Sequence, residues 1–186
     1  MISARLLAPL AALVLFAAGC GDDKKSDSGA TGTNSATTPA ETTPAEEPKA
    51  TTGEAPAVKN ADDLKSKPEI STPAGDPPTA LVKKDLVVGK GPAIKKGQLA
   101  TVQYVGVSWS TGAEFDASWD RGQPFQFPVG QQQVIAGWDE GIPGMKVGGR
   151  RELVIPPDQA YGAQSPGPGI GPNETLVFVV DLKRIG

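Results

Sequence analysis

One carboxylate stands among an unusual concentration of rings. Phe115-Asp116 follows a turn, and Arg121 lies five residues later. Phe125 and Phe127 alternate along a short run, Trp138 stands in a helix-like stretch, and Tyr104 and Tyr161 complete the set. Nine of the ten aromatic residues lie after Leu81. Nine rings are not excessive for a domain of this size, and by composition alone the core of the domain is the favoured reading of them. The alternative is an apolar aromatic pocket with a single charged group at its edge. Asp116 has two readings of its own. It is either a structural carboxylate or an electrostatic contact to substrate; a buried charge is retained only when paired.

The rest of the composition removes chemistry. There is no His, so no Ser-His-Asp triad, Cys-His dyad or His-ligated metal site is available. The single Cys leaves no intrachain disulfide and no Cys cluster for zinc or iron–sulfur. G-x-S-x-G, P-loop and H-E-x-x-H motifs are missing, and Gly167-Pro168-Gly169-Ile170-Gly171 has the wrong spacing for a dinucleotide fingerprint. No metal and no cofactor is expected. Arg150-Arg151 and Lys183-Arg184 sit beside acidic residues in a nearly neutral region, so a nucleic-acid footprint is absent. Asp139 and Glu140 are adjacent on the expected helix and read as a solvated helix face rather than an acid–base pair.

The elements that must hold these residues are mostly strands. Residues 85–88, 99–108, 125–127, 150–155 and 175–185 are β-branched or alternating runs, bounded by Gly and Pro. Only residues 134–142 suit a helix, which Gly141 and Pro143-Gly144 end. The strands are not separated by helix-length segments, so βαβ winding is excluded. The expectation is an α+β domain, a twisted antiparallel sheet with one short helix against it. Residues 161–173 carry four Gly and three Pro, and a loop that long in a small domain is usually functional.

The first part of the chain reads differently. Arg5 precedes an apolar run broken only by Pro9, and small residues then lead to Cys20. That is a secretory signal over residues 1–19, too short for a comfortable membrane span. Its end resembles a bacterial lipobox, so Cys20 is expected to carry lipid rather than act as a nucleophile. Residues 20–67 are rich in Thr, Ala, Pro and acidic side chains and hold no aromatic residue. Such a segment buries too little apolar surface to offset its ordering entropy, and it reads as a disordered linker. Residues 20–80 carry 11 acidic and 6 basic side chains, and residues 81–186 carry 10 and 11, so the acidity belongs to the linker side. The folded domain is expected over residues 68–186, with Ile70 opening a short edge strand.

Read in order, several short motifs form a pattern. They are Val102-Gln103-Tyr104-Val105-Gly106, Gly112-Ala113-Glu114-Phe115-Asp116, Pro124-Phe125-Gln126-Phe127 and Val134-Ile135-Ala136-Gly137-Trp138. Met145 to Arg151, Ile155-Pro156-Pro157, Tyr161-Gly162-Ala163 and Thr175-Leu176-Val177-Phe178 follow. Over about residues 82–185 this resembles the FKBP-type peptidyl-prolyl isomerases. The resemblance implies a five- to six-stranded antiparallel sheet wrapped around one short helix. It also implies a shallow pocket for a proline ring, lined by Tyr104, Phe115, Asp116, Arg121, Phe125, Val134, Ile135, Trp138, Tyr161, Ile170 and Phe178. Trp138 would be its floor, and the Ile135 N–H and the Tyr161 hydroxyl would hold substrate carbonyls. Asp116 would stand near the twisting amide. The implied activity is cis–trans isomerisation of X-Pro bonds in exported polypeptides, by a monomer lipid-anchored to the outside of a bacterial cell membrane. Macrolides such as rapamycin are implied ligands. The altered loop around Pro166 bears on both ligand classes. A low-turnover proline-peptide receptor or chaperone module is the alternative.

Overall fold

The structure is a computed structural model that describes residues 53–186. The signal segment, Cys20 and residues 20–52 of the linker lie outside the described residues. In chain order the elements are β1 (Val58–Lys59), β2 (Glu69–Ile70), β3 (Val82–Val87), β4 (Leu99–Ser108), β5 (Glu114–Ala117) and β6 (Phe125–Pro128). Then come α1 (Ala136–Gly141), β7 (Gly149–Ile155), a 3-10 turn (Pro157–Gln159) and β8 (Leu176–Ile185). Strands β3 to β8 form one antiparallel sheet in the order β3-β7-β8-β4-β5, with β6 also paired to β4. The expected five- to six-stranded antiparallel sheet with one short helix forms, with six strands.

Alternation along β4 and β8 gives each face of the sheet its own core. Ala100, Val102 and Tyr104 from β4 join Leu176, Phe178, Val180 and Leu182 from β8 on the helix side. Val105, Val107 and Val177 point the other way, with Trp109, Ala117 and Val154. The helix has six residues and no side-chain cap, so its own hydrogen bonds cannot sustain it. Close packing holds it. A Cβ on Gly137 would lie 2.4 Å from Ile155, so only glycine lets α1 approach β7 this closely.

Two expectations are corrected here. Asp139 does not face solvent: it is buried, and its two oxygens accept from the backbone N–H groups of Gly130 and Gln132, each at 2.7 Å. It ties the helix to the loop before it, while Glu140 remains exposed.

The boundary at residue 68 is also too late. Residues 53–67 pack onto the face of the sheet away from the helix. β1 pairs with β2, and Ala55 and Ile70 cover the second core. The fastening is polar. Arg150 is fully buried on β7 and forms a forked ion pair with Asp181 at 2.5 and 2.8 Å. Its remaining N–H groups donate to the carbonyls of Asn60 and Ser66. Trp109 donates from Nε1 to the Gly75 carbonyl at 3.2 Å. Composition is blind to this, because backbone carbonyls do the holding and every residue has one. On the same face Glu152 is buried with neither carboxylate oxygen hydrogen-bonded, and burial pushes its carboxyl up to about 7.

Candidate active site

The helix-side face opens into a cavity of about 210 Å³ between β4, β5, β6, α1 and the loop after the 3-10 turn. Trp138 is its floor, held by edge-on contacts to Tyr104, Phe178 and Phe125 at 5.2, 5.3 and 6.1 Å. Its Nε1–H is buried without a partner. Phe115 stands edge-on to Phe178 at 5.5 Å. A Cβ on Gly106 would come within 2.7 Å of both rings, so this β4 position must be glycine for the wall to close. Phe125 and Phe127 stack at 5.6 Å, but they divide the labour: Phe127 is buried while Phe125 reaches the rim. Such offset and edge-on arrangements hold rings rigidly.

One polar cluster borders this apolar bowl. Tyr104 Oη donates to Asp116 Oδ2, and Arg121 pairs with Asp116 Oδ1. The second Arg121 nitrogen donates to Tyr104 Oη at 2.8 Å, and the guanidinium carbon lies 5.5 Å from the Tyr104 ring centre. Burial pushes the Tyr104 phenol up to about 12, and its bond to Asp116 adds to the rise. Tyr104 therefore stays a neutral donor throughout the physiological range. Burial likewise raises the Tyr161 phenol, with the Asp116 charge contributing.

Nine residues expected at the pocket line it together: Tyr104, Phe115, Asp116, Phe125, Val134, Ile135, Trp138, Tyr161 and Phe178. Arg121 does not line the cavity and acts from behind, through Asp116 and Tyr104. Ile170 belongs to the supporting core instead, and its carbonyl accepts from Ser165 Oγ at 2.6 Å. Gln133 lines the cavity and was not anticipated, since a lone Gln in a Gln-rich turn carries no spacing signal. Ile135 occupies the N-cap of α1, so its N–H belongs to the set that has no helical acceptor. The bond from Asn173 N–H to the Gly162 carbonyl at 2.7 Å closes the base of the long loop, which leaves Tyr161 partly exposed at its edge.

An apolar bowl with hydrogen-bonding groups on its rim suits a protein that binds an apolar ring and holds the polar groups beside it. Residues 91–183 match the family profile described as FKBP-type peptidyl-prolyl cis-trans isomerase. An FK506-binding protein of Streptomyces anulatus is 58% identical over 120 residues, 64% of this chain and 97% of the relative. The probable FK506-binding protein of Corynebacterium glutamicum is 53% identical over 116 residues, 62% of this chain and 96% of that one. The crystal structure of AtFKBP13 superposes with a TM-score of 0.52 at 39% identity, covering 57% of this chain and 93% of that one. The chain belongs to the FKBP-type peptidyl-prolyl cis–trans isomerase family, and peptidyl-prolyl isomerisation is the function this membership supports. The 120-residue match is longer than the stretch from Gly91 to Gly186, so it takes in part of the segment ahead of the family profile.

Proposed function

We propose that this chain accelerates cis/trans exchange of X-Pro bonds in exported polypeptides through the Trp138 cavity. The observation that carries the reading is the aromatic bowl itself, apolar at its floor and bordered by Tyr161, Ile135 and the Tyr104–Asp116–Arg121 cluster. The rotation barrier of an X-Pro bond is amide resonance, about 18–20 kcal/mol. The planar amide is more dipolar than the twisted one, and water favours the dipolar form. Placing the proline ring on Trp138 strips that water away and so favours the twisted state relative to the planar one. The Ile135 N–H and the Tyr161 hydroxyl hold the flanking carbonyls and keep the peptide close to the twisted geometry. Asp116 places a fixed negative charge beside the rotating carbonyl while Arg121 and Tyr104 keep it oriented. No bond to carbon is made or broken. A thousandfold acceleration requires about 4 kcal/mol of preferential binding to the twisted state, within reach of a few such contacts.

The same bowl suits FK506-type macrolides, which present a cyclic amide to it. The loop tip bearing Pro166 and Gly167 contributes no lining residue to the cavity; its Gly169 backs Phe115, and through that ring the tip bears on both ligand classes. The chain's place, on this reading, is outside the cell membrane, held through a lipid on Cys20, and it acts as a monomer. Loss of fatty-acid labelling in Cys20→Ser would support the anchor, and equal labelling would rule it out. The test of activity is exchange of a proline peptide by the purified full chain beside Phe125→Ala and Asp116→Val. Acceleration lost in the variants supports the reading. A folded chain that binds the peptide without accelerating it would favour a receptor.

A further inference from the structure

The Arg121 guanidinium that holds Asp116 also acts on the carboxylate of Asp120, which in turn shares a cation with Glu114. Glu114 lies two residues before Asp116 on β5, and Asp120 immediately precedes Arg121. Both converge on a single ammonium from outside the sheet. Lys67 Nζ stands 2.8 Å from Glu114 Oε1 and 2.8 and 2.9 Å from the two oxygens of Asp120. Those partners lie 47 and 53 residues away in sequence, so only the docked N-terminal segment delivers this charge.

We propose that Lys67 is a positioning residue for the isomerase site, and that it acts by keeping Arg121 on Asp116 and Tyr104. Asp116 holds Arg121 on the cavity side of β5, and Glu114 and Asp120 hold Lys67 on the other, so three carboxylates share two cations. With Lys67 in place Glu114 and Asp120 are neutralised together, and Arg121 is free to serve Asp116. Without Lys67 two uncompensated carboxylates repel each other across the gap between β5 and the following loop. They also compete for the one cation left. Asp120 is the better placed competitor, because its carboxyl, lowered first by its bond to Lys67, already feels the Arg121 charge as well. Drawing the guanidinium outward removes its bonds to Asp116 and to the Tyr104 hydroxyl at once. Lys67 is partly buried but Glu114 and Asp120 are exposed, so the effect is moderate rather than absolute.

The proposal rests on the isomerase reading, and the test separates the two. In the purified full chain, Lys67→Met lowers kcat/KM by about two- to fivefold, the scale of partly exposed charge pairs. Lys67→Arg keeps activity. Asp120→Asn alone leaves it unchanged, and added to Lys67→Met it restores it, because the competitor is gone. A merely structural Lys67 would not be rescued in this way. Solvent exchange of the Arg121 guanidinium protons, read by nuclear magnetic resonance, speeds up in Lys67→Met and slows again in the double variant. Unchanged kcat/KM in Lys67→Met, or a loss that Asp120→Asn fails to rescue, overturns the proposal. So does an Arg121 signal that does not move. A wild-type chain without turnover would retire the isomerase reading, and the Arg121 signal would still decide the role of Lys67.

Discussion

The two faces of the sheet are buried by different means. On the helix side, large rings from β4, β6, β8 and α1 interlock, and the bowl is what remains open between them. On the other side the aliphatic side chains of β4, β7 and β8 lie under an irregular segment with few apolar residues of its own. That segment is fastened by a buried guanidinium instead. The first face draws its stability from apolar area, which tolerates an opening in its middle. The second depends on a few polar bonds in a dry setting, where a single lost partner leaves a charge stranded.

The sharpest way to break the comparison is at that fastening. Asp181→Ala leaves the Arg150 guanidinium buried with carbonyl partners only. The expected loss is about 3–5 kcal/mol in chemical denaturation. Proteolysis between residues 53 and 67 should become fast while the helix-side core still reports native tryptophan packing. A loss under about 1 kcal/mol would show that apolar contacts hold the segment after all.

This asymmetry also explains what was legible in the sequence. Strand positions and the single helix could be read because rings and β-branched residues at fixed spacing must be buried somewhere, whereas the nine cavity residues followed from the family resemblance and not from spacing. β4 lies where alternation put it. β5 was read only as residues after a turn, since four residues give too short a pattern. The packing of residues 53–67 was not legible, because its acceptors are main-chain carbonyls and its donor, Arg150, looked like any surface arginine. Asp139 was misread for the same reason: its partners are backbone N–H groups.

A smaller effect comes from Glu152, on the fastened face beside Arg150. Its carboxyl is raised from 4.5 to about 7 by burial, against the opposing charge of Lys84. The folded chain thus holds this proton more tightly than the unfolded one. Stability from this group is intact below about pH 4.5, falls as pH rises towards 7 and levels off beyond. The cost at pH 8 reaches up to roughly 3 kcal/mol. Glu152→Gln should flatten that slope and be the more stable chain at pH 8, with little difference at pH 4. Parallel pH profiles for the two chains would show that Glu152 finds a partner.

On the pocket side the balance reverses, with function more sensitive than folding. Phe125 sits at the rim and is 36% exposed, so Phe125→Ala removes less buried area than truncation of the buried Phe127 would. It should lower the unfolding midpoint less than Phe127→Ala does, yet cut kcat/KM by roughly tenfold, about 1.4 kcal/mol of transition-state binding. For Asp116→Val the split between constants matters more than the total. A charge that acts on the rotating carbonyl shows as a loss in kcat with peptide affinity kept, whereas equal losses in both would assign Asp116 to pocket shape alone.

The smallest expected effect tests whether the fastening on the far face is specific to buried groups. Lys59 and Glu69 bridge β1 and β2 at 3.6 Å, with side chains 74% and 66% exposed. They belong to the same segment that Arg150 holds, and they join its two short strands directly. Water and salt already satisfy both charges, and the ordering of two long side chains offsets most of the attraction. Glu69→Gln should therefore leave the denaturation midpoint and the proteolysis rate of residues 53–67 within error of the parent. If it instead released the segment as Asp181→Ala does, exposed pairing along β1 and β2 would be holding it, and the buried guanidinium would be a consequence of docking rather than its cause.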